Sequence, residues 1–190
     1  VPMLGPMLRR AFLQWGALGC AAPLIARAAE RTPEIMTVRG PRPASELGFV
    51  LSHEHVLVDF IGAAAVSPSR YDAEVAFAKI KPFVDEAKAL GCATMMECTP
   101  AYLGRDPRLL VRLSEATGVQ FVTNTGYYAA RQNKFLEAHA FTEDADALAA
   151  RWQREWREGI DGTGVRPGFI KLGFDAGVLS EVAQKLVRAA

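Results

Sequence analysis

His53 and His55 stand two residues apart in Leu51-Ser52-His53-Glu54-His55, at the end of a short apolar run. In extended backbone such residues point to the same side, so both imidazoles can face one point. Two imidazole lone pairs converging in this way are ligands for a divalent metal ion. The spacing alone equally suits one histidine hydrogen-bonded at a strand end beside a neighbour that faces solvent. Lys171 lies between Ile170 and Leu172 in another apolar run. An ammonium there is costly to desolvate unless it is paired or neutralised, and a salt bridge to Glu97 or Asp175 is one way to meet that demand. Glu97 closes the run Met95-Met96, where a carboxylate suits orienting a metal ligand from behind rather than binding the metal itself. Tyr127 and Tyr128 follow a third run, as pocket-lining rings or as packed aromatics. The third histidine, His139, reads as a surface residue before a helix.

These residues need elements to hold them. From Leu47 onward short apolar runs alternate with longer helical patterns, which argues for βα units around a parallel sheet. Strands are expected at 48–51, 93–97, 119–123 and 169–172. The first helix starts after Asp72, an N-cap type, and stops at Leu90-Gly91, with Pro82 expected to break it in two. A second runs from Asp106, with Pro107 at its first position, to Ala116 before Gly118. A third is capped by Thr142, with Glu143 and Asp144 in its first turn, Arg154 and Arg157 in its last, and Gly159 as its stop. Ser180 caps a fourth that runs into Ala190 with no stop signal after it, so the pattern predicts a fold that continues. Four βα units make half of a (β/α)8 TIM barrel, which typically needs ~250 residues. An open doubly wound sheet is the alternative. In a parallel barrel the C-terminal ends of the strands carry the active site. His53, His55, Glu97, Asn124 and Lys171 all fall at or near such ends.

Composition narrows the partners. Across 190 residues, half are hydrophobic and 22 basic side chains balance 21 acidic ones. With no basic stripe there is no electrostatic footprint for a nucleic acid, and small molecules of little charge are the expected ligands. Cys20, Cys92 and Cys98 cannot all pair and lack zinc-knuckle or redox spacing. Cys92 and Cys98 suit small buried side chains at the two ends of a strand. Before residue 30, Arg9-Arg10 precede an apolar stretch that ends in Ala26-Arg27-Ala28-Ala29, the order of an export signal. Gln14 and Pro23 interrupt that stretch, which is shorter than the ~20 residues of a spanning helix, so no stable membrane anchor is expected. The arginine pair followed by Phe12-Leu13 resembles a bacterial twin-arginine signal. That resemblance implies that residues 1–29 direct export to the periplasm and that residues 30–190 form the folded part. Ala17-Leu18-Gly19-Cys20 leaves lipidation of Cys20 open.

Several motifs in order are similar to the phosphotriesterase family of the amidohydrolase superfamily: Thr37-Val38-Arg39-Gly40, Leu51-Ser52-His53-Glu54-His55, Gly104-Arg105-Asp106, Thr125-Gly126-Tyr127-Tyr128, and Gly168-Phe169-Ile170-Lys171-Leu172-Gly173. The resemblance implies a TIM barrel with two divalent metal ions, usually zinc. His53 and His55 would hold the more buried ion, and Lys171, carboxylated by carbon dioxide, would bridge the two. It further implies hydrolysis of a small-molecule phosphotriester, lactone or related ester by a metal-activated hydroxide, with Tyr127 and Tyr128 lining the substrate pocket. The family's centre also takes two histidines from the fifth and sixth strands and an aspartate from the eighth, and this chain offers none of them by motif. From its three ligands alone, weak metal affinity and an incomplete catalytic set are expected. A half barrel also leaves strand edges unpaired, so self-association with another copy is expected. The competing expectations are a non-catalytic remnant that folds only by association, and an unrelated open α/β binding protein.

Overall fold

The computed structural model describes residues 32–190. The export-signal reading and Cys20 lie outside them. An antiparallel hairpin opens the fold, β1 (Glu34–Thr37) against β2 (Gly40–Pro43). Thr37 closes its turn by donating from Oγ1 to the Gly40 carbonyl at 2.8 Å. The turn docks on the sheet, with the Val38 N–H donating to the Phe121 carbonyl at 2.8 Å and Val38 buried in the core.

Parallel strands and helices then alternate. β3 (Phe49–Glu54) pairs with β4 (Cys92–Glu97), and β4 pairs with β5 (Gln120–Val122). After Thr123 the same strand continues as β6 (Asn124–Thr125), which pairs on its other side with β7 (Phe169–Ile170). The ladder runs on past β7, since the Lys171 N–H donates to the Thr125 carbonyl at 2.7 Å and Tyr128 bridges Gly173. The expected four strands are therefore present in sequential order, each within a few residues of its expected place.

The helices follow the cap signals, with two corrections. Asp72 caps α1 (Ala73–Ala89) by accepting from the Glu74 and Val75 N–H groups. Asp106 caps α2 (Pro107–Thr117) in the same way, and Gly118 ends it in the left-handed conformation, φ +76°. The first correction is Pro82. It does not break α1, which runs unbroken through it. Pro82 lies on the exposed face, as does Ala78, so the carbonyl left without its helical partner is solvated. The second is Thr142. It ends a short helix, α3 (Ala138–Thr142), and the cap of α4 (Ala145–Glu158) is Asp144, whose carboxylate accepts from the Ala147 N–H at 2.8 Å. Ser180 caps α5 (Glu181–Ala189) as expected.

One core lies between the sheet and α1–α2, around Met95, Leu109, Leu113 and Phe121. A second lies under α4 and α5, around Leu148, Trp152 and Leu186. Cys92 and Cys98 are both buried, and neither forms a disulfide among the described residues. Among the described residues no helix is long and apolar enough to cross a membrane.

Candidate functional site

The H-x-H segment ends β3 at an irregularity. Leu51 pairs with Met95 and Glu54 with Glu97, so three steps on β3 oppose two on β4. A bulge of this kind bends a strand and re-aims its side chains. Here it brings His53 Nε2 to 3.3 Å from His55 Nε2. Ligand atoms roughly 2.0–2.1 Å from a tetrahedral ion lie roughly 3.3–3.4 Å from one another, so this separation fits two imidazoles on one metal.

The sheet supplies a third group. Lys171 follows β7, and its Nζ lies 3.4 Å from His53 Nε2, across 118 residues of sequence. Gly126 holds the approach close. A Cβ on Gly126, at φ +102°, would stand 2.3 Å from the Lys171 carbonyl oxygen. The salt-bridge alternative for Lys171 does not occur. Among the described residues no ion pair involves it, and Asp175 instead accepts the Arg131 and Gln132 N–H groups. Nor do three His, Cys, Asp or Glu side chains converge as a metal group among the described residues. The convergence is two histidines and a lysine.

Behind His55 lies a polar chain. Its Nδ1 is 3.0 Å from Thr99 Oγ1, and the Thr99 hydroxyl donates in a close contact to Glu97 Oε1. Glu97 is 2 % exposed and also accepts the Val56 N–H at 3.2 Å and the Thr99 N–H at 3.3 Å. Burial nevertheless dominates and pushes its carboxyl up to about 7, because these hydrogen bonds only partly replace lost water. Glu97 thus touches a candidate ligand only through Thr99. Asn124 pins the turn that bears both, donating from Nδ2 to the Glu97 carbonyl at 2.9 Å and the Thr99 carbonyl at 3.0 Å. His55 is held below the ordinary histidine range by partial desolvation, then by the nearby positive charge of His53 and Lys171.

The two tyrosines part company. Residues 127 and 128 continue the pairing with the segment after β7, so their side chains leave opposite faces. Tyr127 is 4 % exposed and belongs to the second core, beside Tyr102 and Trp152. That is the place of a packed aromatic, one of the two readings its sequence allows. Burial raises its phenol well above the usual range. His139, expected at the surface, is half-buried in α3 with Nε2 2.9 Å from the Tyr127 hydroxyl. Tyr128 instead lies over Gly173, two residues on from Lys171 and so on its face of the strand. Thr99 is not among the residues that motif and spacing single out. The signal was there as Glu97-Cys98-Thr99, where a carboxylate two residues back can accept both the N–H and the hydroxyl. A cleft of about 500 Å³ beside Arg70, Tyr71 and Arg105 does not include His53, His55 or Lys171.

Comparison with known proteins identifies the family and the fold. The profile of the Phosphotriesterase family matches residues 33–190. The chain is 30% identical over 144 residues to a phosphotriesterase homology protein of Escherichia coli, covering 75% of this chain and 47% of that protein. It is 29% identical over 147 residues to an aryldialkylphosphatase of Saccharolobus solfataricus, covering 77% and 46%. Among solved structures, the organophosphorus hydrolase from Deinococcus radiodurans matches with a TM-score of 0.70 and 33% identity, covering 82% of this chain and 48% of that one. The chain thus spans about half the length of the curated relatives it matches, and its βα units correspond to half of a TIM barrel. A matching profile over nearly all the described residues, with the fold to accompany it, makes this chain a member of the phosphotriesterase family.

Proposed function

We propose that this chain supplies part of the metal centre of a hydrolase acting on phosphotriesters, lactones or related small esters. The observation that supports it is the convergence on His53 Nε2, at the C-terminal ends of β3 and β7, of His55 Nε2 at 3.3 Å and Lys171 Nζ at 3.4 Å. Two Nε2 atoms this close cannot both carry protons along the line between them, so at least one lone pair faces the gap. That donor set fits divalent zinc. His53 and His55 would hold one ion. Lys171, as a neutral amine, would add to carbon dioxide and release a proton, forming a carbamate whose single negative charge is shared by two oxygens, a group that would hold divalent cations an ammonium would repel. Bound ions supply Lewis acidity, polarising the phosphoryl or carbonyl oxygen and lowering the pKa of a water near it. Tyr128, on the Lys171 face, would border the substrate. The relatives' names include an aryldialkylphosphatase and an organophosphate-hydrolysing protein engineered from a weak promiscuous lactonase. They support the ester class and leave the acyl or phosphoryl group open.

The test is metal content. Purified protein dialysed against zinc or cobalt with 13C-bicarbonate is expected to retain metal and show a carbamate carbon signal, and both should vanish in Lys171→Ala. Equal metal in wild type, His53→Ala and Lys171→Ala would refute the proposal. Export of the chain is proposed from residues 1–29 alone, and fractionation of expressing bacteria tests it.

A further inference from the structure

We infer that Thr99 is a positioning residue that sets the tautomer of His55, placing the proton on Nδ1 and leaving Nε2 bare toward His53. Its functional meaning rests on the metal-centre reading above; the tautomer itself does not. The argument is a count of protons. Thr99 is fully buried, and its hydroxyl has one proton for two neighbours, Glu97 Oε1 and His55 Nδ1. Glu97 is arranged as an acceptor, with Oε1 also taking the Val56 N–H and Oε2 the Thr99 N–H. Above its transition near 7 this carboxylate is ionised and has no proton to give, and a charge-assisted bond is roughly twice as strong as a neutral one. The hydroxyl proton therefore goes to Glu97. The oxygen is left with lone pairs toward His55, and a stable contact at 3.0 Å then requires a proton on Nδ1.

The backbone leaves the hydroxyl little choice. Asn124 Nδ2 clamps the Glu97 and Thr99 carbonyls, so the turn that aims Oγ1 at the ring is fixed from the neighbouring strand. A histidine whose far nitrogen is held in this way presents its other lone pair without first choosing a tautomer. Such partners are typically worth a factor of about 10–100 in metal affinity.

The test uses the protein without metal at pH 8, above the Glu97 transition. Long-range 1H–15N correlation spectra of the His55 ring assign its tautomer in wild type, Thr99→Ser, which keeps the hydroxyl, and Thr99→Val, which keeps the shape. Wild type and Thr99→Ser are expected to show Nδ1–H. Thr99→Val is expected to populate Nε2–H and to lose about tenfold or more in zinc or cobalt affinity by titration, with Thr99→Ser restoring it. An Nε2–H ring in the wild type would overturn the inference even if Thr99→Val fails to fold. So would a folded Thr99→Val that keeps the Nδ1–H ring and wild-type affinity. Wild type with an Nδ1–H ring and no metal uptake would sustain the tautomer assignment while overturning the metal-centre reading.

Discussion

Replacing Glu97 by glutamine should reverse sign in its effect on stability between pH 4 and pH 8.5. The carboxyl is 2 % exposed and pushed from 4.5 up to about 7, chiefly by desolvation. Between those values the folded protein holds a proton that the unfolded chain releases, so stability must fall as pH rises through the interval. A span of about 2.5 pH units (7 − 4.5) at 1.36 kcal/mol per unit gives roughly 3 kcal/mol, fully present below pH 4.5 and lost above about 7. Glutamine escapes that loss because it never ionises. It can still accept at Oε1 from the Val56 N–H and the Thr99 hydroxyl, but its amide nitrogen would face the Thr99 N–H, which now donates to Oε2 at 3.3 Å. Losing that bond costs about 1 kcal/mol. Glu97→Gln is therefore expected to be about 1 kcal/mol less stable than wild type at pH 4 and about 2 kcal/mol more stable at pH 8.5. Urea unfolding of the metal-free proteins at half-unit pH steps measures the difference. Taking the difference cancels the opposite trend from His55 and His139, both held below the usual range and so adding stability as pH rises through 6.5. Wild-type and variant profiles that stay parallel across the whole range would refute the reasoning.

Two further substitutions probe what holds the site in place. Gly126→Ala puts a methyl 2.3 Å from the Lys171 carbonyl at a φ of +102°, so a loss of about 3 kcal/mol and a shifted Lys171 amide resonance are expected; a loss below 1 kcal/mol by urea unfolding would show that the strands need not approach so closely. Arg105 has a side chain only 3% exposed that grips Glu155 at 2.7 and 3.1 Å and the Asn124 carbonyl at 2.7 Å. Arg105→Lys is expected to cost about 3 kcal/mol, since an ammonium cannot reproduce the fork and leaves a partly buried carboxylate poorly paired, and near-wild-type stability would contradict that account.

Much of the fold was written locally. Asp72, Asp106 with Pro107, Gly118 and Ser180 marked helix ends because a cap acts over two or three residues and needs no distant partner. Where two local signals competed, sequence could not arbitrate. Thr142 and Asp144 are both cap types, and the short helix α3 uses up the first. The effect of Pro82 is not legible locally because it depends on which face of α1 meets water, a property of the packing. The same limit applied at the site. H-x-H spacing named the two histidines, and the lysine motif named Lys171, but the 3.3 Å approach depends on a bulge in β3 and the 3.4 Å contact on the order of strands.

What the sequence determined by itself was therefore chemical type and local grammar: βα alternation, helix caps, and a set of histidines, lysine and glutamate at strand ends. Tertiary structure decided which atoms meet. It sent Tyr127 into the second core and Tyr128 to the Lys171 face through the parity of one strand pairing, and it brought Thr99 to His55 across 44 residues. Those contacts are set by register and by a bulge, and a shift of one residue in either moves a side chain to the other face of the sheet.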